Sequence, residues 1–495
     1  TDVGETFNEE VIFVTGATGF LGKVLTEKLL RTCSGLKHIY LLARDKKGKS
    51  VEARIEEIFG DTLFSELERI DPKFRNKVTP ICGDCSLPAL GLSLQDRQLL
   101  IREVSVVFHG AATVRFDEQF RIAFNINVRG TKELLLLVQE MKSLKAFIHI
   151  STAYSNCNRE VVEERLYESP IDFKKLELIV ENLDDNLLDS LVPKLLGTWP
   201  NTYTYTKAIG EQVVKSLGQG MPISIFRPAI VVGTAEEPVI GWTDNVYGPT
   251  GIVVGAGCGV LHSIYGDTEC NANLVPVDMA VSAIIVSAAE IIQENQGDDT
   301  DIPIYNYVSV ADNPLKWKEF KHYLELHGDD IPTVKAMWCY FLTIHKNKFT
   351  HNLCCYLFHY FPALLVDIFA RITNKNYPNM VNIYRKVDRY SEVMTYFSIR
   401  NWDFRNENMI RLWSRLNPDD KTRFNFDFKT LDWSKFFYNY IRGLRIYLLK
   451  DDMSTLPQAR ATWAKFKRAH SILKVGRQCW KKGGLSWYQT VKTIL

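Results

Sequence analysis

The sequence predicts an α/β fold, a doubly wound parallel sheet followed by a mainly helical C-terminal region. Short apolar, β-branched runs alternate with helical spacing over roughly 230 residues, the pattern of a sheet whose strands are joined by crossover helices. A glycine-rich turn, Thr15-Gly16-Ala17-Thr18-Gly19-Phe20-Leu21-Gly22, follows the first of these runs and leads into a helix. Beyond about Lys335 the alternation stops, and aromatic, helix-like sequence replaces it.

Val11 to Val14 is the first strand, and Lys23 to Leu30 continues with helical spacing. His38 to Leu42 comes at the distance expected of the next parallel strand, and Val78-Ile81, Val104-Phe108, Ala146-Ile150 and Ile223-Phe226 extend the series. Thr131-Met141 and Tyr203-Leu217 read as helices between them. Gln293 to Asp301 is a polar, acidic turn before the strand-like Pro303-Val310. From Pro238 to Tyr265 the chain is nearly uncharged, and Gly241, Gly248, Gly251, Gly255, Gly257 and Gly259 are too many for a stable helix. That segment reads either as a surface loop or as the flexible lining of an apolar channel.

Asn352 to Ile372 is strongly apolar but interrupted by Pro362, and fits a buried helix pair or a segment in a membrane interface better than a spanning helix. Residues 380–450 look helical, with Tyr, Phe and Trp among Arg, Asn and Asp. After Asp452 there is no acidic residue, while Trp463, Phe466, Trp480 and Trp487 are interleaved with lysines and arginines. This end reads as a solvated tail or, better, as a segment at a membrane surface, where aromatics among cations suit the headgroup layer. Three regions follow: residues 1–335 as a dinucleotide-binding domain with substrate-binding insertions, 336–450 as a helical domain, and 451–495 as a basic aromatic tail.

The bulk composition excludes other classes. With 60 basic and 58 acidic residues among 495, the chain as a whole carries no footprint for nucleic acid. Ten scattered cysteines make no disulfide scaffold and suit a reducing, cytosol-facing location. Cys82-Gly83-Asp84-Cys85 has the C-x-x-C form, but no second pair or nearby histidine set completes a metal site, and no metal is expected. The chain begins at Thr1 rather than Met, with the first strand close behind.

The chemistry-bearing residues fall in order along the strand ends. Gly16, Gly19 and Gly22, with Thr15, Thr18, Phe20 and Leu21 around them, form a turn whose small residues admit a pyrophosphate to a helix N-terminus. After the second strand, Arg44 stands where an acidic residue would accept the ribose hydroxyl of NAD. With Lys46 or Lys47 it instead suits a 2′-phosphate, so NADPH is the expected cofactor, with Asp45 as the one dissenting residue. Asp84 follows the third strand, in reach of an adenine amino group. Gly110-Ala111-Ala112-Thr113 follows the fourth, where Ala111 and Ala112 let the cofactor lie against the sheet, and Asn127 opens the next helix.

The fifth strand ends in His149-Ile150-Ser151-Thr152-Ala153-Tyr154, and either Ser151 or Thr152 can hydrogen-bond a carbonyl under reduction. Tyr203 and Lys207 are spaced to share one helical face. A cation beside a phenol lowers its pKa, which equips Tyr203 for proton transfer and marks hydride chemistry.

This order of motifs resembles the extended short-chain dehydrogenase/reductases, with their Rossmann-type domain, and within them the fatty acyl-CoA reductases. The carrying residues are the glycine turn, His149 to Tyr154, Asn201 to Lys207, Arg227-Pro228 with Val231-Val232-Gly233, Gly241-Trp242 through Gly248-Pro249-Thr250-Gly251, and Val275-Pro276-Val277-Asp278. The region from His359-Tyr360-Phe361-Pro362-Ala363 to Leu449 resembles that family's C-terminal domain, and no peroxisomal tripeptide ends the chain. The resemblance implies reduction of a long-chain fatty acyl-CoA to an alcohol with two NADPH, catalysis by Tyr203 and Lys207 with Ser151 or Thr152, and Arg227 and Pro228 at the cofactor. It also implies an intracellular membrane surface as partner, at the endoplasmic reticulum or peroxisome, and a homodimer as the possible assembly. The rival readings are another reductase of the superfamily, acting on a steroid or nucleotide sugar, and a silent dinucleotide-binding scaffold. Arg44 and the apolar last third disfavour the first, and the Tyr-x-x-x-Lys pair disfavours the second.

Overall fold

Seven parallel strands form the central sheet: β1 (Val11–Thr15), β2 (His38–Ala43), β3 (Val78–Cys82), β4 (Val106–His109), β5 (Ala146–Ile150), β6 (Ile223–Pro228) and β7 (Ile304–Tyr307). Their spatial order is β7-β6-β5-β4-β1-β2-β3, so the winding reverses at β1. The computed structural model describes residues 2–46, 48–294, 301–373 and 379–481, with 473–481 described by backbone alone. Lys47, much of the acidic turn before β7 and the tail beyond residue 481 therefore lie outside the described residues. The expected strands are all present, the fourth starting two residues later than its apolar run because Val104 caps the preceding helix.

The sheet belongs to a unit made of residues 1–240, 273–314 and 401–431. Its central strands are mostly apolar because helices cover both faces, and Ile12, Phe13, Val106, Val107, Phe147 and Ile225 are fully buried. Helix α1 (Phe20–Thr32) follows the glycine turn and packs on the long helix Val277–Glu294. A helical run over residues 120–138, with a π-helical turn at Asn125–Arg129, packs on Thr202–Leu217. Asn201 caps that last helix by accepting from the Thr204 amide at 2.9 Å. Tyr205, Ile209 and Val213 bury its inner stripe, each apolar side chain contributing about 1.5–3 kcal/mol. This anchoring fixes the angle at which Tyr203 and Lys207 meet the end of β5.

Residues 241–272, 315–400 and 432–495 form a second unit. The glycine-rich segment does not remain a loop there: Pro249–Gly257 is a helix, with Ile252, Val253 and Ala256 buried. Tertiary packing overrides the low helix propensity, and two of the glycines are required by close approach. A Cβ on Gly251 would meet the Val246 carbonyl oxygen at 2.7 Å, and one on Gly241 the Asn439 carbonyl oxygen at 2.2 Å.

The apolar segment around Pro362 is neither a buried helix pair nor broken. Lys348–Cys355, a π-helical turn at Tyr356–Tyr360 and Phe361–Ile372 run as one helix. A π turn ahead of Pro362 adjusts the backbone just where a regular helix would clash with the ring. The basic end begins as a docked helix, Leu456–Lys481: Trp463 is buried and donates to Asp329 at 2.9 Å, and Arg460 donates to the Asp330 carbonyl.

Candidate active site

The carboxyl ends of β1 and β4 form a crevice at the point where the sheet reverses, the usual ligand position in such sheets. Gly16 has φ +76°, and a Cβ there would lie 2.6 Å from the Gly110 carbonyl carbon. A Cβ on Gly22 would lie 2.2 Å from the Gly16 carbonyl oxygen. The turn is therefore pressed against β4 on one side and α1 on the other. Gly19 stands at the N-cap of α1 without any side-chain cap, which leaves the helix amino end open to an anion. Thr18, Phe20 and Leu21 lie in the same turn and first helical residues. These features fit a pyrophosphate-bearing cofactor.

Thr15 sits below the turn and ties it to its neighbours. Its hydroxyl donates to His109 Nδ1 at 2.7 Å and accepts from the Ala111 amide at 3.2 Å. The polarity of this chain is fixed by its far end, where Thr131 donates to the Asn127 carbonyl at 2.8 Å. Thr131 must therefore accept from His109 Nε2–H at 3.0 Å. Burial, reinforced by nearby Lys207, depresses the His109 pKa to about 3, so the ring stays neutral. Asn127 is committed as well: its amide accepts from Thr113 N at 3.0 Å and donates to Thr206 at 2.9 Å, clasping the loop after β4 to the catalytic helix. Ala111 and Ala112 lie in that loop, half-buried.

At the end of β2, the exposed Arg44 is ion-paired with Asp84, at 2.9 Å. Asp84 also accepts from the Ser86 amide and hydroxyl, and these bonds with Arg44 outweigh its partial burial to hold the carboxyl below its usual range. Arg54 donates to the Arg44 carbonyl and adds a second guanidinium at this edge. Lys46 is exposed and bridges back to Lys49 through the backbone.

Ser151 and Thr152 diverge. Ser151 donates to Glu211 Oε1 at 2.5 Å, in a buried cluster where Ser155 also donates at 2.9 Å. Arg227, fully buried, grips the same carboxylate through Nε at 2.9 Å and Nη2 at 2.6 Å, and donates to the Glu163 and Arg165 carbonyls. Thr152 instead accepts from the Tyr154 amide at 3.2 Å and lies close enough to the Tyr203 phenol to lower its pKa. The structure thus sets Thr152 beside Tyr203, anchors Lys207 on the carbonyl that ends β5, and ties Ser151 and Arg227 to Glu211. Pro228 ends β6, its carbonyl side beside β7.

The electrostatics differ from the simple phenol–ammonium picture. Burial raises the Tyr203 pKa to about 12, offset only in part by Thr152, so the phenol stays protonated. Lys207 donates to the Ile150 carbonyl at 2.7 Å, and burial lowers its pKa to about 8, with Glu211 opposing the shift. Sequence reasoning missed Glu211 and His109. Glu211 carried a signal, since it stands four residues beyond Lys207 on the same helix. His109 carried only its place at a strand end.

The comparisons bear on this geometry. Two family models described as male sterility protein match the chain, a NAD-binding one over residues 14–284 and a second over 358–451. The first covers the glycine cradle, β1 to β6 and the Tyr-Lys helix, and makes the crevice a nicotinamide dinucleotide site. A Drosophila melanogaster protein, fatty acyl-CoA reductase wat, is 42% identical over 464 residues, 94% of this chain and 89% of its own length. Fatty acyl-CoA reductase 1 of Gallus gallus is 39% identical over 458 residues, covering 92% of this chain and 88% of that protein.

Among solved structures, the terminal R domain of the myxalamid biosynthetic pathway superposes with TM-score 0.58 at 18% identity, over 88% of this chain and 91% of that one. A Bacillus cereus UDP-glucuronic acid 4-epimerase in complex with NAD gives 0.50 at 15%, over 90% and 99%. These two likenesses establish the fold and no more. The sequence identity over nearly the whole length goes further, and by it the chain belongs to the fatty acyl-CoA reductases.

Proposed function

We propose that this chain reduces long-chain or very-long-chain fatty acyl-CoA to the fatty alcohol, with NADPH, at the cytosol-facing surface of the endoplasmic reticulum or peroxisome. The observation that carries the reading is the Thr152–Tyr203–Lys207 array at the end of β5, in a unit whose glycine turn fits a pyrophosphate. Family membership supplies the substrate class, and Arg44 beside Arg54 at the end of β2 supports NADPH, because two guanidinium groups suit a ribose phosphate.

When bound, the reduced dinucleotide supplies hydride, twice for each acyl chain. The chain's own residues handle the protons. A phenol held protonated at Tyr203 donates to the carbonyl oxygen as it gains negative charge, and Thr152 orients that phenol. Lys207, anchored on the Ile150 carbonyl, places a positive charge at the same strand end. The hemithioacetal from the first reduction expels CoA as the thiol, its hydroxyl proton passing to sulfur and leaving an aldehyde. Tyr203, reprotonated from solvent, gives the aldehyde oxygen its proton in the second.

The test is product analysis with purified protein in detergent, a long-chain acyl-CoA and NADPH. Fatty alcohol at two NADPH consumed per CoA released is the expected result. Aldehyde alone would remove the second reduction from the proposal, and no product at any chain length would overturn it.

A further inference from the structure

The residue 348–372 helix divides lengthwise into two stripes. Cys355, His359, Ala363 and Ala370 are buried on one side. Phe349, Leu353, Tyr356, Leu357, Phe361, Leu364, Leu365, Ile368, Phe369 and Ile372 are exposed on the other, with Phe349 at 75%, Phe361 at 58% and Ile372 at 77%. At 1.5 Å per residue this apolar face is about 37 Å long, far more than a water-facing helix leaves uncovered.

The inner side also carries polar groups that fasten it along its length. Ser263 and His351 Nδ1 are hydrogen-bonded at 2.8 Å, His359 Nε2 accepts from the His262 amide at 3.0 Å, and Tyr360 donates to Asp388 at 2.5 Å. Asp367 accepts from the Met380 and Val381 amides at 2.7 and 3.1 Å, and so caps the next helix, Met380–Ser398. These bonds carry a test of geometry. A helix long enough to cross a bilayer would have to tear all of them and carry His351, His359 and Asp367 into hydrocarbon, which is strongly unfavourable. A helix lying in the plane of one leaflet keeps every one.

Charge names the occupant. On these two helices, among the described residues, Lys348, Arg371, Arg385, Lys386 and Arg389 are exposed cations, against the single exposed carboxylate of Glu392. A second copy of the chain would bring like charges together, whereas an anionic lipid surface neutralises them. We propose that residues 348–372 form an in-plane membrane anchor, its outer stripe sunk into one anionic leaflet while its inner stripe stays bonded to the protein. This rests on the membrane partnership proposed above and adds the segment and its depth.

The test uses the full chain on vesicles of phosphatidylcholine, with or without phosphatidylserine, carrying photoreactive lipids. One lipid bears its carbene source near the headgroup and another at the acyl terminus. An in-plane helix predicts that peptides containing Phe349, Phe361 and Ile372 are labelled alike by the shallow probe, more strongly with phosphatidylserine. Labelling of Phe361 by the terminal probe alone, with Phe349 and Ile372 labelled shallowly, would mean a spanning helix and overturn the proposal. The double variant Phe361→Asp with Leu365→Asp should cut vesicle flotation about tenfold. It should leave fatty alcohol formation in detergent unchanged. Undiminished flotation, or conversion of a dimer to a monomer with no lipid labelling in the parent chain, would overturn it too. Absence of alcohol from the parent chain, with labelling intact, would strike the proposed reaction and not the anchor.

Discussion

Ser151 and Thr152 are adjacent at the end of β5, yet their hydroxyls serve different partners: Ser151 donates to Glu211 at 2.5 Å, and Thr152 lies beside the Tyr203 phenol and lowers its pKa. Both partners lie on helix Thr202–Leu217 about two turns apart, so each hydroxyl meets a different turn of the same helix and only Thr152 is set against the phenol. Thr152→Val, which keeps the shape and removes the hydroxyl, should lower kcat about 100-fold with little change in melting temperature. Ser151→Ala should change kcat by less than about tenfold and cost about 1 kcal/mol of stability, since Glu211 keeps its other donors. Steady-state kinetics and melting curves on the two variants check this, and a reversed pattern would exchange their roles.

The buried pair behind Ser151 is a stability element. Arg227 and Glu211 are both almost fully buried and meet at 2.6 Å. Glu211→Ala leaves the guanidinium with only the Glu163 and Arg165 carbonyls and should cost about 3–5 kcal/mol. Glu211→Gln, which retains an acceptor, should cost less. Urea unfolding midpoints measure both, and equal small losses would show that the pair is dispensable.

Arg44→Glu should weaken NADPH about 100-fold and NADH only slightly, since the substitution sets a carboxylate beside Asp84 where a phosphate would sit. Fluorescence titration with each reduced cofactor reads the difference directly. An equal loss for both would remove Arg44 from cofactor selection.

How far the sequence reached depends on what kind of information each residue carries. The strands of the sheet, the glycine turn and the Tyr203–Lys207 pair were legible because each is local: a β-branched run, a close-packed turn, a helical spacing. Thr152 was legible only as one of two candidates, because which hydroxyl faces Tyr203 depends on how helix Thr202–Leu217 crosses the end of β5. Arg227 was expected at the cofactor from the family resemblance, whereas its closure around Glu211 is a pairing between residues sixteen apart that no local pattern reveals. The helix Pro249–Gly257 defeated propensity for the same reason. Its Gly251 answers to Val246 and Tyr390, contacts that exist only once the second unit has formed.

Alkaline loss of activity should belong to Lys207 rather than Tyr203. The phenol titrates near 12 and stays protonated throughout the working range, whereas the ammonium, lowered by burial to about 8, is lost as pH rises past that value. The rate should therefore fall on the basic side with a midpoint near 8. Lys207→Arg, whose guanidinium keeps its charge, should be slower but flat through that region. Stability runs the other way. The folded pKa lies below the free value of 10.5, so between the two the unfolded chain binds more protons. The burial cost, roughly 3 kcal/mol, is felt in full below pH 8 and fades towards 10.5. Rate–pH profiles of the parent and Lys207→Arg, taken with melting curves over the same range, separate the two effects. A basic limb that stays near 8 in the arginine variant would assign it to another group.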